Sequence, residues 1–121
     1  MKLLKCNSCK ARVIVDKDCN CPCGIVCCDE KMVEVIPNSV DAAFEKHIPT
    51  YNVINNKIEV TVNHVMESDH YIEWVALETD NTFTKIDFKP GDNPTYTFDY
   101  TPGSTLYSYC NKHELWKKEV E

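Results

Sequence analysis

Cysteine spacing is the feature that most constrains how this chain can fold. Seven of its eight cysteines lie between Cys6 and Cys28, and the eighth, Cys110, stands alone near the C-terminus. Residues 1–36 carry few aliphatic side chains and are too short to bury an adequate core, so this segment needs a staple if it is ordered. Residues 1–5 begin like an export signal but reach Cys6 without an apolar core. We therefore expect a reducing compartment, in which metal ligation is favoured over a disulfide framework.

The remaining composition excludes several classes of function. The formal net charge is -6 and Arg12 is the only arginine, which disfavours nucleic acid and anionic membranes as partners. The three glycines, Gly24, Gly91 and Gly103, are too dispersed to form a glycine-rich phosphate loop. No apolar run approaches the ~20 residues that a membrane-spanning helix needs. We expect a soluble, cytoplasmic protein with no nucleic-acid or membrane partner.

A change of composition near Pro37 predicts two domains, a small metal-stapled one at 1–36 and a larger one at 37–121. In the larger domain Ile58, Val60 and Val62 alternate with polar residues, which is typical of a strand with one buried face. A polar stretch at 38–49 is expected to form one helical turn or a loop. The predicted strands are 51–54, 58–62, 72–77, 82–89, 96–100 and, as the last one, 106–110. Asn55-Asn56 tolerates the positive φ of a tight hairpin turn between the first two. The chain is thus predicted to be mainly β, with an antiparallel β-sandwich as its larger domain.

Two histidines lie at the ends of neighbouring strands. His64 continues the buried face of the preceding strand, and His70 begins a face that we assign to Ile72, Trp74 and Ala76. Since the connection between the two histidines is short, both imidazoles are expected at one edge of the sandwich. Any one histidine alone is more often a surface residue or a satisfied core residue.

A lone cysteine and two further histidines complete this candidate site. Cys110 and His113 are close enough in sequence to bind one ion from a turn, and His47 lies in the polar stretch before the sandwich. Cys110 alone would be interpreted as an inert buried thiol. Four imidazoles and one thiolate exceed the ligand number of a tetrahedral zinc site, whereas they suit a five-coordinate iron with one open position.

Several motifs resemble those of the superoxide reductases. They are Glu45-Lys46-His47-Ile48-Pro49, His70-Tyr71-Ile72-Glu73-Trp74 and Cys110-Asn111-Lys112-His113. Cys6-x-x-Cys9 followed by Cys27-Cys28 is similar to the desulforedoxin-like domain of the two-iron form, desulfoferrodoxin. The resemblance covers essentially the whole chain. It implies that 37–121 is a neelaredoxin-like catalytic domain with an immunoglobulin-like sandwich fold.

The resemblance also implies the site residues. The catalytic iron would take four equatorial histidines and one axial cysteine: His47, His64, His70, His113 and Cys110. Glu45 and Lys46 would flank its open sixth position, although on their own they would be interpreted as a solvated pair. The N-terminal iron would be held in a distorted tetrahedron by Cys6, Cys9, Cys27 and Cys28. The implied reaction is one-electron reduction of superoxide to hydrogen peroxide, with a rubredoxin-like electron donor and a homodimeric assembly.

Two departures from the family pattern leave alternatives open. Val65 stands where the family usually has proline, so the loop after His64 is expected to be less rigid. Cys19, Cys21 and Cys23 are additional, and they are either free thiols in a loop or competitors for the N-terminal metal. We favour the four family positions, because Cys21-x-Cys23 matches no rubredoxin-like knuckle. The alternative functions are a non-enzymatic electron carrier and a zinc-stapled binding module.

Overall fold

The computed structural model describes residues 1–121, which form two compact units, Met1–Ile36 and Pro37–Glu121. The boundary coincides with the change of composition near Pro37. No helix in the structure has both the length and the apolar character needed to cross a membrane.

The first unit contains five very short strands. They are β1 (Leu3–Lys5), β2 (Arg12–Ile14), β3 (Val26–Cys27), β4 (Glu30–Lys31) and β5 (Val33–Glu34). One antiparallel sheet has the order β2-β1-β5, and β3 and β4 form a separate hairpin. One buried cluster of this unit consists of Leu4, Cys6 and Met32, with a few half-buried neighbours, and Leu3 and Val35 are also buried. A core of this size cannot offset the entropy of ordering the segment, which supports the expectation of a staple.

The second unit is a sandwich of two antiparallel sheets, as predicted. After a 3-10 helix (Phe44–Lys46) it has seven strands: β6 (Thr50–Ile54), β7 (Lys57–Thr61), β8 (Ile72–Glu78), β9 (Phe83–Asp87), β10 (Thr95–Asp99), β11 (Thr105–Cys110) and β12 (Glu114–Glu119). The sheets have the orders β10-β7-β6 and β12-β11-β8-β9. Residues from both sheets, including Ile58, Val60, Val75 and Leu106, form one buried cluster.

The predicted hairpin between β6 and β7 is confirmed. Asn55 and Asn56 have φ values of 51° and 61°, the positive values that a primed two-residue turn requires. This turn sets the register in which Val53 pairs with Ile58. As a result Ile58 and Val60 enter the core, and the chain leaves β7 toward His64 at the opposite end of the strand.

The prediction that Ile72, Trp74 and Ala76 share one face of β8 is wrong. The pairing of β8 with β11 shifts between Tyr109 and Cys110, so that Cys110 is paired with Ile72. This bulge reverses the alternation within β8. Ile72 therefore joins Val75 and Leu77 in the core cluster, whereas Trp74 is buried on the other face, stacked on Tyr109.

The prediction that 106–110 is the last strand is also wrong, because β12 follows it and pairs with β11 along its whole length. Only Leu115 and Trp116 of β12 are buried toward its start, and Lys117, Lys118 and Glu119 are exposed. An edge strand with this polar composition lacks the strict alternation on which the prediction depended.

Candidate metal centres

Strand ends and one helix end bring the predicted histidines and Cys110 together. His47 follows the 3-10 helix, His70 precedes β8, Cys110 ends β11, and His113 lies in the turn to β12. The ligating atoms of these four residues all lie within 4.8 Å of one another. His47 and Cys110 are buried, and the other two are half-buried. The long-range pairing of the strands therefore builds a compact donor set from four distant parts of the chain.

His64 lies at the edge of this donor set. Its ring centroid is 4.7 Å from that of His47 and 4.6 Å from that of His70. Its Nε2 atom is 3.5 Å from the Sγ atom of Cys110. All five predicted side chains are thus brought together, and their role as ligands of one ion stays a prediction.

Backbone carbonyls orient two of the imidazoles. His47 Nδ1 donates to the carbonyl of Ala43 at 2.7 Å, and His64 Nδ1 donates to the carbonyl of Val65 at 2.5 Å. In a neutral imidazole the other nitrogen, Nε2, then carries a lone pair. Burial, the main cause in both cases, lowers the pKa of His47 and of His64, which favours the neutral form. Both Nε2 lone pairs are therefore available to a cation.

The spacing of the donor atoms fits a metal ion. His47 Nε2 lies 3.0 Å from His113 Nδ1. Two nitrogens bound at right angles to one ion at ~2.1 Å would be ~3.0 Å apart. His70 Nε2 is buried without any hydrogen-bond partner, which is costly for an imidazole nitrogen unless a further group satisfies it. Burial raises the pKa of the Cys110 thiol, so a thiolate there needs a neighbouring cation.

Two residues that hold this donor set carried no functional signal in the sequence. Trp116 stacks on the His47 ring and donates from Nε1 to the His113 carbonyl at 2.9 Å. Ser108 is buried and donates to the His47 carbonyl at 2.6 Å. Their contacts with His47 join parts of the chain that are distant in sequence, so no local motif indicates them.

Asn111 has a similar role and does lie inside a recognised motif. Its side-chain oxygen accepts from the Tyr71 amide at 2.9 Å, and its side-chain nitrogen donates to the Asp69 carbonyl at 3.0 Å. These bonds bracket His70 from both sides. The motif Cys110-Asn111-Lys112-His113 therefore contains a residue that joins two ligand-bearing loops, and its position between Cys110 and His113 was the available signal.

Glu45 and Lys46 lie on the 3-10 helix directly before His47, and both are exposed. The charge of Glu45 acts to raise the pKa of His47, but it is one of the lesser influences on it. The Lys46 amide closes the helical turn by donating to the Ala43 carbonyl at 3.2 Å. The two side chains are thus available to an anion from solvent, and their catalytic roles stay predictions.

A second candidate centre lies in the first unit. The sulfurs of Cys6, Cys9, Cys27 and Cys28 lie within 4.8 Å of one another. Cys9 Sγ is 3.6 Å from Cys27 Sγ, which in turn is 3.9 Å from Cys28 Sγ. Sulfurs bound tetrahedrally at ~2.3 Å would be ~3.8 Å apart. The structure brings together the four cysteines that the resemblance implied.

The electrostatics of these sulfurs also favour a cation. The backbone amide of Cys9 donates to Cys6 Sγ at 3.5 Å and lowers the pKa of Cys6 to about 7. The neighbouring thiols of Cys9 and Cys6 raise the pKa of Cys27 to about 12. The sulfurs therefore cannot all be thiolates unless a positive ion compensates their charge.

The additional cysteines do not join the four-cysteine cluster. Cys21 and Cys23 form a disulfide, and Cys19 is a free, exposed thiol. The expectation that all three are free thiols or competitors for the metal is therefore wrong for the bonded pair. The sequence alone does not show whether two cysteines separated by a single residue form a disulfide or bind a metal.

Comparisons with known proteins agree with this geometry. The family described as Desulfoferrodoxin matches residues 39–119. A desulfoferrodoxin of Clostridium acetobutylicum is 34% identical over 99 residues, which is 79% of each chain. One of Nitratidesulfovibrio vulgaris is 38% identical over 100 residues, again 79% of each chain.

Solved structures give the same result. The superoxide reductase of Treponema pallidum superposes with a TM-score of 0.68 at 29% identity, covering 96% of this chain and 98% of that one. A one-iron superoxide reductase of Giardia intestinalis, at 22% identity and a TM-score of 0.55, covers 63% of this chain and 97% of its own. The second likeness concerns the fold alone.

Proposed function

The chain belongs to the desulfoferrodoxin family, and from this membership we propose that it is a superoxide reductase. The reaction adds one electron and two protons to superoxide and yields hydrogen peroxide. The observation that carries the proposal is the convergence of four imidazoles and one thiol, with the unpartnered His70 Nε2 among them. The similarity to the Treponema pallidum enzyme over nearly the whole chain supports the same reaction.

The donor set suits iron. We assign His47, His64, His70, His113 and Cys110 as its ligands, which leaves one position of a six-coordinate ion open. Iron bound there would supply the electron that superoxide accepts. The carbonyls of Ala43 and Val65 hold two of the imidazoles in the tautomer that can bind a cation. Trp116 and Ser108 fix the backbone on which His47 and His113 depend.

Lys46 and Glu45 act on the substrate side. Superoxide is an anion and the chain has a net charge of -6, so the global field opposes its approach. The exposed ammonium group of Lys46 beside His47 provides a local positive charge that counteracts this field. Lys46 Nζ also orders the water that delivers a proton to the reduced substrate. Glu45 would supply a carboxylate that covers the site when no substrate is present.

The four-cysteine cluster has a different role. We assign Cys6, Cys9, Cys27 and Cys28 as the ligands of a second iron, which would serve as a one-electron carrier for a donor protein of the rubredoxin type. The protein is proposed to act in the cytoplasm as a homodimer. Two rival functions, a pure electron carrier and a zinc-stapled binding module, would use this cluster without the histidine site.

The deciding experiment combines metal analysis with a product assay. Anaerobically purified protein should contain two irons per chain and a thiolate-to-iron absorption band from each site. After chemical reduction it should consume superoxide and release one hydrogen peroxide per superoxide without releasing dioxygen. Zinc as the only metal, with no superoxide consumption, would support the binding module instead. Iron confined to the four-cysteine cluster would support the electron carrier.

A further inference from the structure

Three cysteines of the first unit belong to neither candidate metal centre. Cys19, Cys21 and Cys23 are all exposed, and a disulfide joins Cys21 to Cys23. In the four-cysteine cluster of the same unit the closest sulfurs, those of Cys9 and Cys27, are 3.6 Å apart and not bonded. The sulfurs of the four-cysteine cluster are thus spaced to bind one ion, whereas those of Cys21 and Cys23 are bonded to each other.

The backbone around the Cys21–Cys23 pair forms a defined turn. The Gly24 amide donates to the Cys21 carbonyl at 3.3 Å, which closes a four-residue turn with Pro22 at its second position. Gly24 has a φ of +70°, and a Cβ atom there would lie 2.6 Å from a side-chain carbon of Lys31. Both features favour glycine as the residue after the pair. The turn brings the Cα atoms of Cys21 and Cys23 to 5.5 Å, within the range that a disulfide requires.

The segment before the turn is also anchored. Asp18 accepts from the Cys19 amide at 2.9 Å and pairs with Lys2 at 2.6 Å. Cys19 is thus held at the start of the loop, and its own sulfur lies 3.7 Å from the Cys21 carbonyl. It is a single thiol adjacent to the bonded pair, and this makes it the natural control residue.

We propose that Cys21 and Cys23 form a reversible dithiol–disulfide couple that is oxidised by hydrogen peroxide. The choice of oxidant rests on the proposed function, because hydrogen peroxide is the product formed at the histidine site. The couple would give the chain a second, two-electron activity that converts this product to water. Exposure of both sulfurs gives peroxide direct access to them.

The oxidation balances in two steps. The thiolate of one cysteine attacks a peroxide oxygen, the O–O bond breaks, and a sulfenic acid and hydroxide form. The second thiol then attacks the sulfur of the sulfenic acid, so that the S–S bond forms and the S–O bond breaks. The released hydroxide combines with the proton of the second thiol and leaves as water. Overall two thiols and one hydrogen peroxide give one disulfide and two waters. An external dithiol protein regenerates the thiols by thiol–disulfide exchange and becomes a disulfide itself.

The test measures the thiol state of each cysteine in the full-length iron-loaded protein. The protein is reduced with dithiothreitol, freed of it, and treated anaerobically with graded hydrogen peroxide. Free thiols are then alkylated, and the peptide containing the loop is analysed by mass spectrometry. We expect Cys21 and Cys23 to lose alkylation together as peroxide is added, to regain it with dithiothreitol, and to leave Cys19 alkylated throughout.

Two variants separate the couple from its neighbour. Cys19→Ser should behave like the wild type, whereas the double variant C21S/C23S should form no disulfide within the loop. The irons also consume peroxide, and this consumption continues in the double variant. Subtracting it from the wild-type consumption gives the share that is due to the Cys21–Cys23 couple. Superoxide reduction and both iron absorption bands should be the same in all three proteins.

Three outcomes would overturn the proposal. Cys21 and Cys23 could remain alkylated after peroxide, or proceed to sulfinic acids without a disulfide. All three loop thiols could instead be protected by a metal ion that a chelator removes. Because peroxide is added directly, the result does not depend on superoxide reduction. A chain that reduces superoxide but forms no loop disulfide would contradict this proposal alone.

Discussion

The indole ring of Trp116 lies on the imidazole ring of His47, with centroids 4.8 Å apart and an angle of 26° between the planes. The same indole donates from Nε1 to the carbonyl of His113 at 2.9 Å, and Phe44 packs edge-on against it. One fully buried side chain thus touches the 3-10 helix and two of the assigned iron ligands. A residue placed in this way controls ligand orientation without binding the metal itself.

We expect Trp116→Phe to weaken iron retention at the histidine site by about 10–100-fold, the usual effect of losing a group that orients ligands. The matched control is Trp74→Phe, which removes a similar volume from a buried tryptophan stacked on Tyr109. Chelator competition measures iron retention, and thermal unfolding measures stability. Both variants should lose stability, and only Trp116→Phe should lose iron more readily. Equal iron retention in the two variants would refute an orienting role for Trp116.

Two buried serines offer a second matched pair. Ser108 and Ser104 each donate to a backbone carbonyl at 2.6 Å, that of His47 and that of Thr101 respectively. Ser108→Ala removes the hydroxyl bond to the His47 carbonyl and should cost about 1–3 kcal/mol of unfolding free energy. Ser104→Ala should cost less, about 1 kcal/mol, because the Thr101 carbonyl still accepts from the Ser104 amide at 3.2 Å. Only Ser108→Ala should also shift the sulfur-to-iron absorption of the histidine site, because only this carbonyl belongs to a ligand. A shift of the same size in Ser104→Ala would point to a general loosening of the sandwich.

The two iron sites should fail independently. Cys110→Ser should leave the fold nearly intact, abolish the absorption of the histidine site and remove nearly all superoxide reduction. Cys9→Ser should release the N-terminal iron and the order of residues 1–36, because that unit has a minimal core. Chemically reduced Cys9→Ser protein should still reduce superoxide. Metal content, visible spectra and pulse-radiolysis rates test both claims, and parallel loss of activity in Cys9→Ser would contradict the separation of the sites.

Lys46→Ala should lower the second-order rate constant for superoxide by a few-fold, because it removes the local attraction beside His47. The wild-type rate should fall with ionic strength, since the Debye length shrinks from ~30 Å at ~0.01 M to ~10 Å at ~0.1 M salt. In the variant this salt dependence should flatten or reverse. Lys57→Ala is the control, because it changes the net charge equally but removes an exposed lysine paired with Asp99 near the β6–β7 turn. If Lys57→Ala reproduces the effect, the global charge is responsible rather than Lys46.

An alkaline stability limit is expected from Tyr107. Burial and the nearby carboxylate of Glu78 raise the pKa of this phenol to about 12. An unfolded chain ionises its tyrosines near the ordinary pKa of ~10, so unfolding becomes progressively easier as pH rises from there toward the folded-state value. The loss should be at most about 3 kcal/mol, since each pKa unit of difference corresponds to about 1.4 kcal/mol, and it should be absent from Tyr107→Phe. Urea unfolding across this pH range, with the exposed Tyr96 replaced by Phe as control, measures it.

Much of the fold was predictable because its signals are local. The positive φ of Asn55 and Asn56, and the alternation of Ile58 and Val60, arise from the conformational preferences and periodicity of a few consecutive residues. The density of cysteines near the N-terminus likewise predicted a stabilising metal, since so short a segment has little core of its own. The residues assigned to both candidate centres were all found by spacing and family resemblance.

Only the tertiary structure determined how these parts are held. The bulge at Glu73 of β8, opposite Tyr109 and Cys110, reverses the alternation of β8, and it results from the pairing of two distant strands rather than from the composition of either. Ser108 and His47 are 61 residues apart in sequence, so their contact depends on how all the strands between them are paired. The bonding of Cys21 to Cys23 depends on a turn whose geometry the cysteine count does not specify. Sequence by itself determined which atoms this protein has for binding iron, because ligand chemistry belongs to single residues. Their positions and orientations follow from long-range packing, and these belong to the folded chain as a whole.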